Sequence, residues 1–351
     1  MVQRQFGNRR GFVLITTAAC LIALLALVGL ATDVGRLYVS RNELQAFVDE
    51  AAFAASFEMD GTAEGITRAQ TVGAAGPGAN RWYFGTQAAS GVTVQFATAA
   101  GGPFYESPGS PAGYRFVKVQ VTAPVSLYFL PVVPGIAGSQ NVSASAIAGQ
   151  VLQSSLGDGL APFSPDAHDA LDLNFGFTPG QLYTLRWAPP GHRSQGGSSC
   201  PGDVGYNPDD PNNRGYIDVG QGNGNSGLRD AVVNNTYSLP NPLEVGSLID
   251  DVSGQKSVTD AVNERFNQDS DVAAASFASY HGNGRRLYTV AVNTGDPPHV
   301  AGFALFFLQP SPCGTDQNVA PCCAEYVGAA VLGSLHKGAG NPGLYAVQLV
   351  Q

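Results

Sequence analysis

The sequence predicts an α+β fold. A transmembrane helix runs on into a long amphipathic helix packed on a small antiparallel sheet, and an irregular β-rich domain follows. Three observations carry this reading: a charge-free apolar run over residues 11–32, helical periodicity that continues from residue 33 without a break, and alternating strands within residues 91–152.

The apolar run, "GFVLITTAACLIALLALVGLAT", has Thr16, Thr17 and Thr32 as its polar side chains. At ~1.5 Å per residue it covers the roughly 30 Å of a bilayer's hydrocarbon. Arg4, Arg9 and Arg10 precede it without an acid, so residues 1–10 read as a basic tail held in the cytoplasm. The expected setting is therefore the inner membrane, crossed once, with the bulk of the chain periplasmic or extracellular. Two alternatives stay open at this point. The run is longer than the roughly 7–15 residues of a signal peptide's apolar region, and Gly29-Leu30-Ala31 is a mediocre cleavage site. Processing after Gly11, in the manner of a prepilin, is the other.

Past the run, Leu37, Leu44 and Ala51 fall seven apart with Phe47 beside them, which makes one apolar helical stripe. Arg36, Arg41, Glu43, Asp49 and Glu50 lie mostly off it. Span and soluble helix should form one rod of roughly 50 residues that ends near Asp60-Gly61, where glycine can take a left-handed cap. "GVTVQF", "YRFVKVQVTAPVSLYF" and "NVSASAIAGQVL" then supply strands with Val92/Val94/Phe96, Val117/Val119/Val121 and Val142/Ala144/Ala146 on one face. That face is what the stripe is expected to cover, and residues 33–152 are taken as one module.

Residues 153–351 form the expected β-rich domain. Its best strands are "GYIDVG", "RRLYTVAVNT" and "HVAGFALFFL", and its best helix is "KSVTDAVNERFNQ", with Val258, Val262 and Phe266 at helical spacing. Gly and Pro make up 67 of the 351 residues, above the roughly 12% of ordinary chains. The net charge is −9, and with +3 through Thr32 the remainder carries −12. This argues against nucleic acid as a partner, because phosphate neutralisation supplies most of such affinity.

Cysteine usage agrees with an oxidising compartment. Cys20 lies in the apolar run, while Cys200, Cys313, Cys322 and Cys323 lie beyond it and are disulfide candidates. Cys322 and Cys323 should go to different partners, since a bond between neighbours strains the backbone. A thiolate zinc site has no CxxC pair or flanking His to support it.

Motifs for catalysis are poor. None of His168, His192, His281, His299 and His336 opens an HExxH helix, and no Gly-x-Ser-x-Gly elbow occurs. Ser253-Gly254-Gln255-Lys256 and Ser334-Leu335-His336-Lys337 fit Ser-x-x-Lys, but the Lys-Thr-Gly strand that goes with it is missing. A pocket around His168 and Asp169 would be the place for a hydrolytic or metal-dependent site. No cofactor is expected. The loop holding Asp203, Asp209, Asp210, Asn212 and Asn213 offers the oxygens calcium prefers, without the EF-hand order, and solvated turns explain it equally well.

The helix carries a recognisable order of residues: Arg10-Gly11, Asp33, Gly35-Arg36-Leu37, Arg41-Asn42-Glu43-Leu44-Gln45 and Asp49-Glu50-Ala51-Ala52. In this it resembles the N-terminal segment of the TadE/TadG-like family of tight-adherence (Flp) pilus assembly. "YRFVKVQVTAPVSLYFLPVVPGIAG" and "VSASAIA" are similar to the stretch that follows in that family. The resemblance implies a pilin-like layout, a non-enzymatic component of a pilus assembly or secretion apparatus, other assembly proteins and membrane lipid as partners, and oligomerisation as an option. The alternatives are an adhesin-like envelope binding protein and an envelope enzyme housed in residues 153–351. Two positions depart from relatives: the fifth residue after Gly11 is Thr16 where prepilins carry Glu. Asp251-Val252-Ser253-Gly254-Gln255 lacks the second Ser of an Asp-x-Ser-x-Ser metal loop.

Overall fold

The computed structural model describes residues 10–76, 81–82, 87–88, 90–132, 135–186, 200–206, 216–222, 224–249, 251–252, 258–313 and 322–350. Among the described residues the α-helices are α1 (Arg10–Phe57), α2 (Ala63–Ala75), α3 (Asn225–Asn234) and α4 (Val258–Asn267). The main strands begin with β1 (Thr93–Ala97), β2 (Phe116–Ser126), β3 (Ser139–Leu152) and β4 (Leu182–Arg186). They continue with β5 (Leu287–Thr294), β6 (His299–Cys313), β7 (Cys322–Tyr326), β8 (Ala329–Val331) and β9 (Gly343–Val350).

The rod is present: α1 is unbroken for 48 residues, about 70 Å at 1.5 Å per residue. Its two halves meet different surroundings. From Val13 to Val28 every side chain is exposed, among them Leu14, Ile22, Leu25 and Val28. From Leu44 on, one face is fully covered, with Leu44, Val48, Ala51, Ala52 and Ala55 at 0% exposure. They lie against Val117, Val119 and Val121 of β2 and Val142, Ala144, Ala146 and Ala148 of β3. Alanine faces alanine along much of this seam, so helix and sheet backbones approach closely from Val142 to Ala148 of β3. The alanine richness of the helix is thus a packing feature.

An element without a sequence expectation follows. The helix was expected to run to about residue 60, but it stops at Phe57 and α2 begins at Ala63. Thr62 is its N-cap, accepting from the Gly65 N–H at 3.0 Å, and the Asp60 carboxylate accepts from both the Thr62 N–H and its hydroxyl. Ile66, Ala69 and Gly73 form the buried face of α2. Gln150, in β3, then ties off the end of α1. Its amide donates to the Ser56 and Met59 carbonyls at 2.9 and 2.7 Å, and its oxygen accepts from the Ala339 N–H. The Ser56 carbonyl in the last turn of α1 and the Met59 carbonyl just beyond it both gain a partner this way.

The sheet under α1 has five strands in the order β8-β9-β3-β2-β1. The expected boundary at residues 152/153 does not divide it, because β9, close to the end of the sequence, pairs antiparallel with β3 from Leu152 to Ile147. The reason is edge protection: without β9, the long strand β3 would present an unpaired row of backbone groups. Residues 153–351 therefore contribute to both sheets.

The second sheet has the order β5-β6-β7-β4, with every neighbouring pair antiparallel. Strand β6 is buried on both faces, Ala304, Phe306 and Leu308 on one and Phe303, Leu305 and Phe307 on the other. An apolar run without alternation is what such a strand requires. Helices α3 and α4 cover the first face with Leu228, Val232, Ala261, Val262 and Phe266. The second face shares a core with Ala330 and Leu344 of the first sheet. "GYIDVG" contributes a two-residue strand, Tyr216–Ile217, paired with Asp251–Val252.

Candidate functional site

Three places bear on function: the packing stripe, the hairpin that clasps the helix, and the polar residues around the second sheet.

Of the stripe, Leu44, Phe47 and Ala51 are buried in the helix–sheet core, and Leu37 is half-buried against its upper end. The opposite face of the same stretch is open, with Val34, Tyr38 and Phe53 between 40% and 67% exposed.

The hairpin joining β2 to β3 reaches back to α1 where the apolar run ends. The Asp33 carboxylate, itself buried, accepts the N–H groups of Tyr128, Phe129 and Leu130 at 2.9, 2.9 and 2.7 Å. Three successive amide donors on one carboxylate make a small anion cradle. Arg36, one turn on, places its guanidinium 4.5 Å over the Tyr128 ring. One turn back, Gly29 lies against Phe129, and a Cβ there would overlap the phenylalanine side chain. Sequence reasoning noted Asp33 as part of a pattern without finding its partner. The available signal was an isolated acid at the end of a run free of charge.

Replacing Asp33 by Ala should therefore free the hairpin tip. Amide hydrogen exchange at Tyr128, Phe129 and Leu130 is expected to rise at least about tenfold while the β2–β3 ladder stays protected. Unchanged exchange at these three amides would contradict the cradle.

The four cysteines beyond the apolar run form two disulfides, Cys200–Cys323 and Cys313–Cys322, so the neighbours Cys322 and Cys323 go to different partners. Cys313 and Cys322 are directly opposite in the β6–β7 ladder, while Cys200–Cys323 closes a separation of 123 residues. Cys20 is free. Alkylation of the unreduced chain should label Cys20 alone. Cys200→Ser with Cys323→Ser should cost about 2–5 kcal/mol, since closing so long a loop restricts the unfolded chain strongly. Unchanged urea unfolding of the double variant would refute this.

The polar residues around the second sheet are engaged with one another. The His168 Nε2–H donates a 2.8 Å hydrogen bond to Asp203 Oδ1, and Asp203 Oδ2 accepts the Thr184 N–H. Tyr206 stacks on His168 with centroids 3.8 Å apart and donates to Asp166 Oδ2 at 2.7 Å. Asp169 does not join them, and its carboxylate accepts the Leu171 N–H within a turn. Asp203 is thus the one member of the suggested calcium loop that the structure describes, and both its oxygens already have partners. Asp209, Asp210, Asn212 and Asn213 lie outside the described residues, as do His192 and the Ser253–Lys256 motif. Among the described residues, no group of three or more His, Cys, Asp or Glu is arranged to hold a metal.

A family comparison bears on the helix. Residues 11–72 match the family model described as "Putative Flp pilus-assembly TadE/G-like". This segment is TadE/G-like. The match takes in α1 from Gly11 onward and α2 as far as Val72, and it associates the chain with Flp pilus assembly. No curated protein and no solved structure matches the chain. Within the TadE/G-like segment, α1 is long and apolar enough to cross a membrane.

Proposed function

We propose that the chain is a non-enzymatic, membrane-anchored component of a Flp-type pilus assembly or secretion apparatus that acts through protein–protein contacts in the envelope. The observation that carries this is the continuous α1 within the TadE/G-like segment: its first half is exposed and apolar all round, and its second half is roofed by a sheet. A helix apolar on every side suits lipid, and one covered on a single face suits water beyond it. In this reading residues 11–32 span the inner membrane once, residues 1–10 stay in the cytoplasm, and the packing of α1 on the sheet is pilin-like. The open face carrying Val34, Tyr38 and Phe53 meets partner assembly proteins or further copies of the chain. No cofactor enters.

The test is deletion of the gene in its organism of origin, with complementation by the intact chain. Loss of surface pili by electron microscopy, restored on complementation, is the expected result. Normal pili in the deletion strain would overturn the reading, and normal pili with lost surface attachment would replace it by an adhesin-like role.

A further inference from the structure

The β2–β3 hairpin tip has no role in the fold that its side chains explain. Tyr128, Phe129, Val132 and Ile136 are 60%, 48%, 82% and 40% exposed. Apolar side chains clustered and exposed in this way mark a surface for something else. Its level is fixed by two contacts on α1, Gly29 against Phe129 and Asp33 on three backbone amides. Gly29 lies within the apolar run and Asp33 is the first residue after it. Phe129 is thereby held against Gly29 near the end of the apolar run, where Leu25, Leu27, Val28 and Leu30 are 44–62% exposed.

From these positions we infer that the hairpin tip is a second membrane contact, seated in the outer interfacial layer of the same phospholipid bilayer that α1 crosses. The inference rests on the anchoring reading above. Continuity selects lipid as the occupant, because the tip extends the exposed apolar surface of α1 sideways at one height. Composition agrees. No charged side chain occurs between Lys118 and Asp158, so nothing in the tip opposes entry into an apolar layer. Aromatic rings with a polar edge, such as Tyr128, settle at the level of the headgroups, and Arg36 over that ring stands where phosphates would lie. The Asp33 carboxylate satisfies three of the tip's backbone donors, which could not be left unpaired near hydrocarbon. Two points of attachment would fix the tilt of the rod and hold the sheet against the membrane, where one helix alone leaves the outer domain free to swing.

The experiment uses the full chain, with Cys20→Ala, reconstituted in phosphatidylethanolamine–phosphatidylglycerol vesicles. The remaining four cysteines are bonded, so a single added cysteine takes a nitroxide label. Val132→Cys and Ile136→Cys report the tip, Leu24→Cys the bilayer interior, and the 96% exposed Leu171→Cys the aqueous reference. The readout is the ratio of collisions with oxygen, which concentrates in lipid, to collisions with a water-soluble nickel chelate. At Val132 and Ile136 the ratio is expected several-fold above that at Leu171 and towards that at Leu24. Tip labels that read like Leu171, or that neither reagent reaches, would overturn the proposal while leaving the anchor intact. A Leu24 label that reads like Leu171 would remove the anchoring reading and this inference with it.

Discussion

Leu44→Asp should abolish the folded helix–sheet module, and Leu44→Ala should weaken it by about 2–5 kcal/mol. Leu44 is completely buried where α1 crosses β2 and β3, among Val119, Val121 and the alanines of β3. Truncation to Ala leaves a cavity that the close alanine seam on either side cannot collapse to fill. An aspartate in the same place is a buried charge with no partner, which costs more than the cavity. Asn42, two residues away and exposed, is the control, and Asn42→Ala should stay within about 0.5 kcal/mol. The measurement is thermal or urea unfolding of the full chain in detergent. A fragment ending after β3 would mislead, because it removes β9 and bares six paired residues of the β3 edge. If Leu44→Asp unfolds like the parent, the covering of α1 by the sheet is wrong. If it folds normally but no longer supports pilus assembly in cells, the stripe faces a partner instead.

What could be read in the sequence follows from which interactions are local. The rod, the stripe and the alternating strands β1, β2 and β3 were legible because their periodicities run within one segment. The same holds for β5, β6 and α4. The pairing of β9 with β3 was not legible, because it spans almost 200 residues of chain and nothing in "GLYAVQLV" says which edge it will take. Helix α2 was missed although its signals were present: Thr62 as cap, Glu64 in the first turn, and Ile66, Ala69 and Gly73 on one face. Its glycines and alanines make a weak apolar stripe, so periodicity alone did not raise it. The clasp at Asp33 was half legible. The acid stood out, yet its three donors are backbone groups some 95 residues on and carry no side-chain signature. Neighbouring Cys322 and Cys323 were assigned to different bonds by backbone geometry, but the choice between Cys200 and Cys313 for each lay in the β6–β7 register. Buried polar anchors such as Gln150 and Arg286 escaped entirely, because a polar residue in a sequence reads as surface until the fold encloses it.

Arg286 is where that oversight has the largest energetic consequence, and Arg286→Ala should destabilise the second sheet and its core by about 3–5 kcal/mol. The side chain is fully buried. Its Nε donates to the Leu308 carbonyl and its two terminal nitrogens to the Asp271 and Ala274 carbonyls, each at 2.7 Å. The guanidinium lies 4.1 Å over Phe307 and 4.7 Å over Phe266. Burial pulls its pKa below the usual arginine value, and Asp269 and Asp271 nearby oppose that pull. Asp269 is bound into the same cluster, accepting the Arg286 backbone N–H and the Tyr280 hydroxyl. Deleting the side chain removes three donors at once and opens a hole among aromatic rings. Arg286→Met separates the two effects, since it refills most of the volume and supplies no donor. If the three carbonyls dominate, Met should recover only part of the loss and remain about 2–3 kcal/mol below the parent. A fused ion pair can often be replaced by apolar groups on both sides without loss, but backbone carbonyls cannot be exchanged, so that remedy is closed here. Urea unfolding followed by near-ultraviolet circular dichroism, to which Tyr280 beside the cluster contributes, provides the comparison. Full recovery by Met would mean that Arg286 serves as filler and that its hydrogen bonds contribute little. Equal loss in Met and Ala would place nearly all of the effect in the unpaired carbonyls.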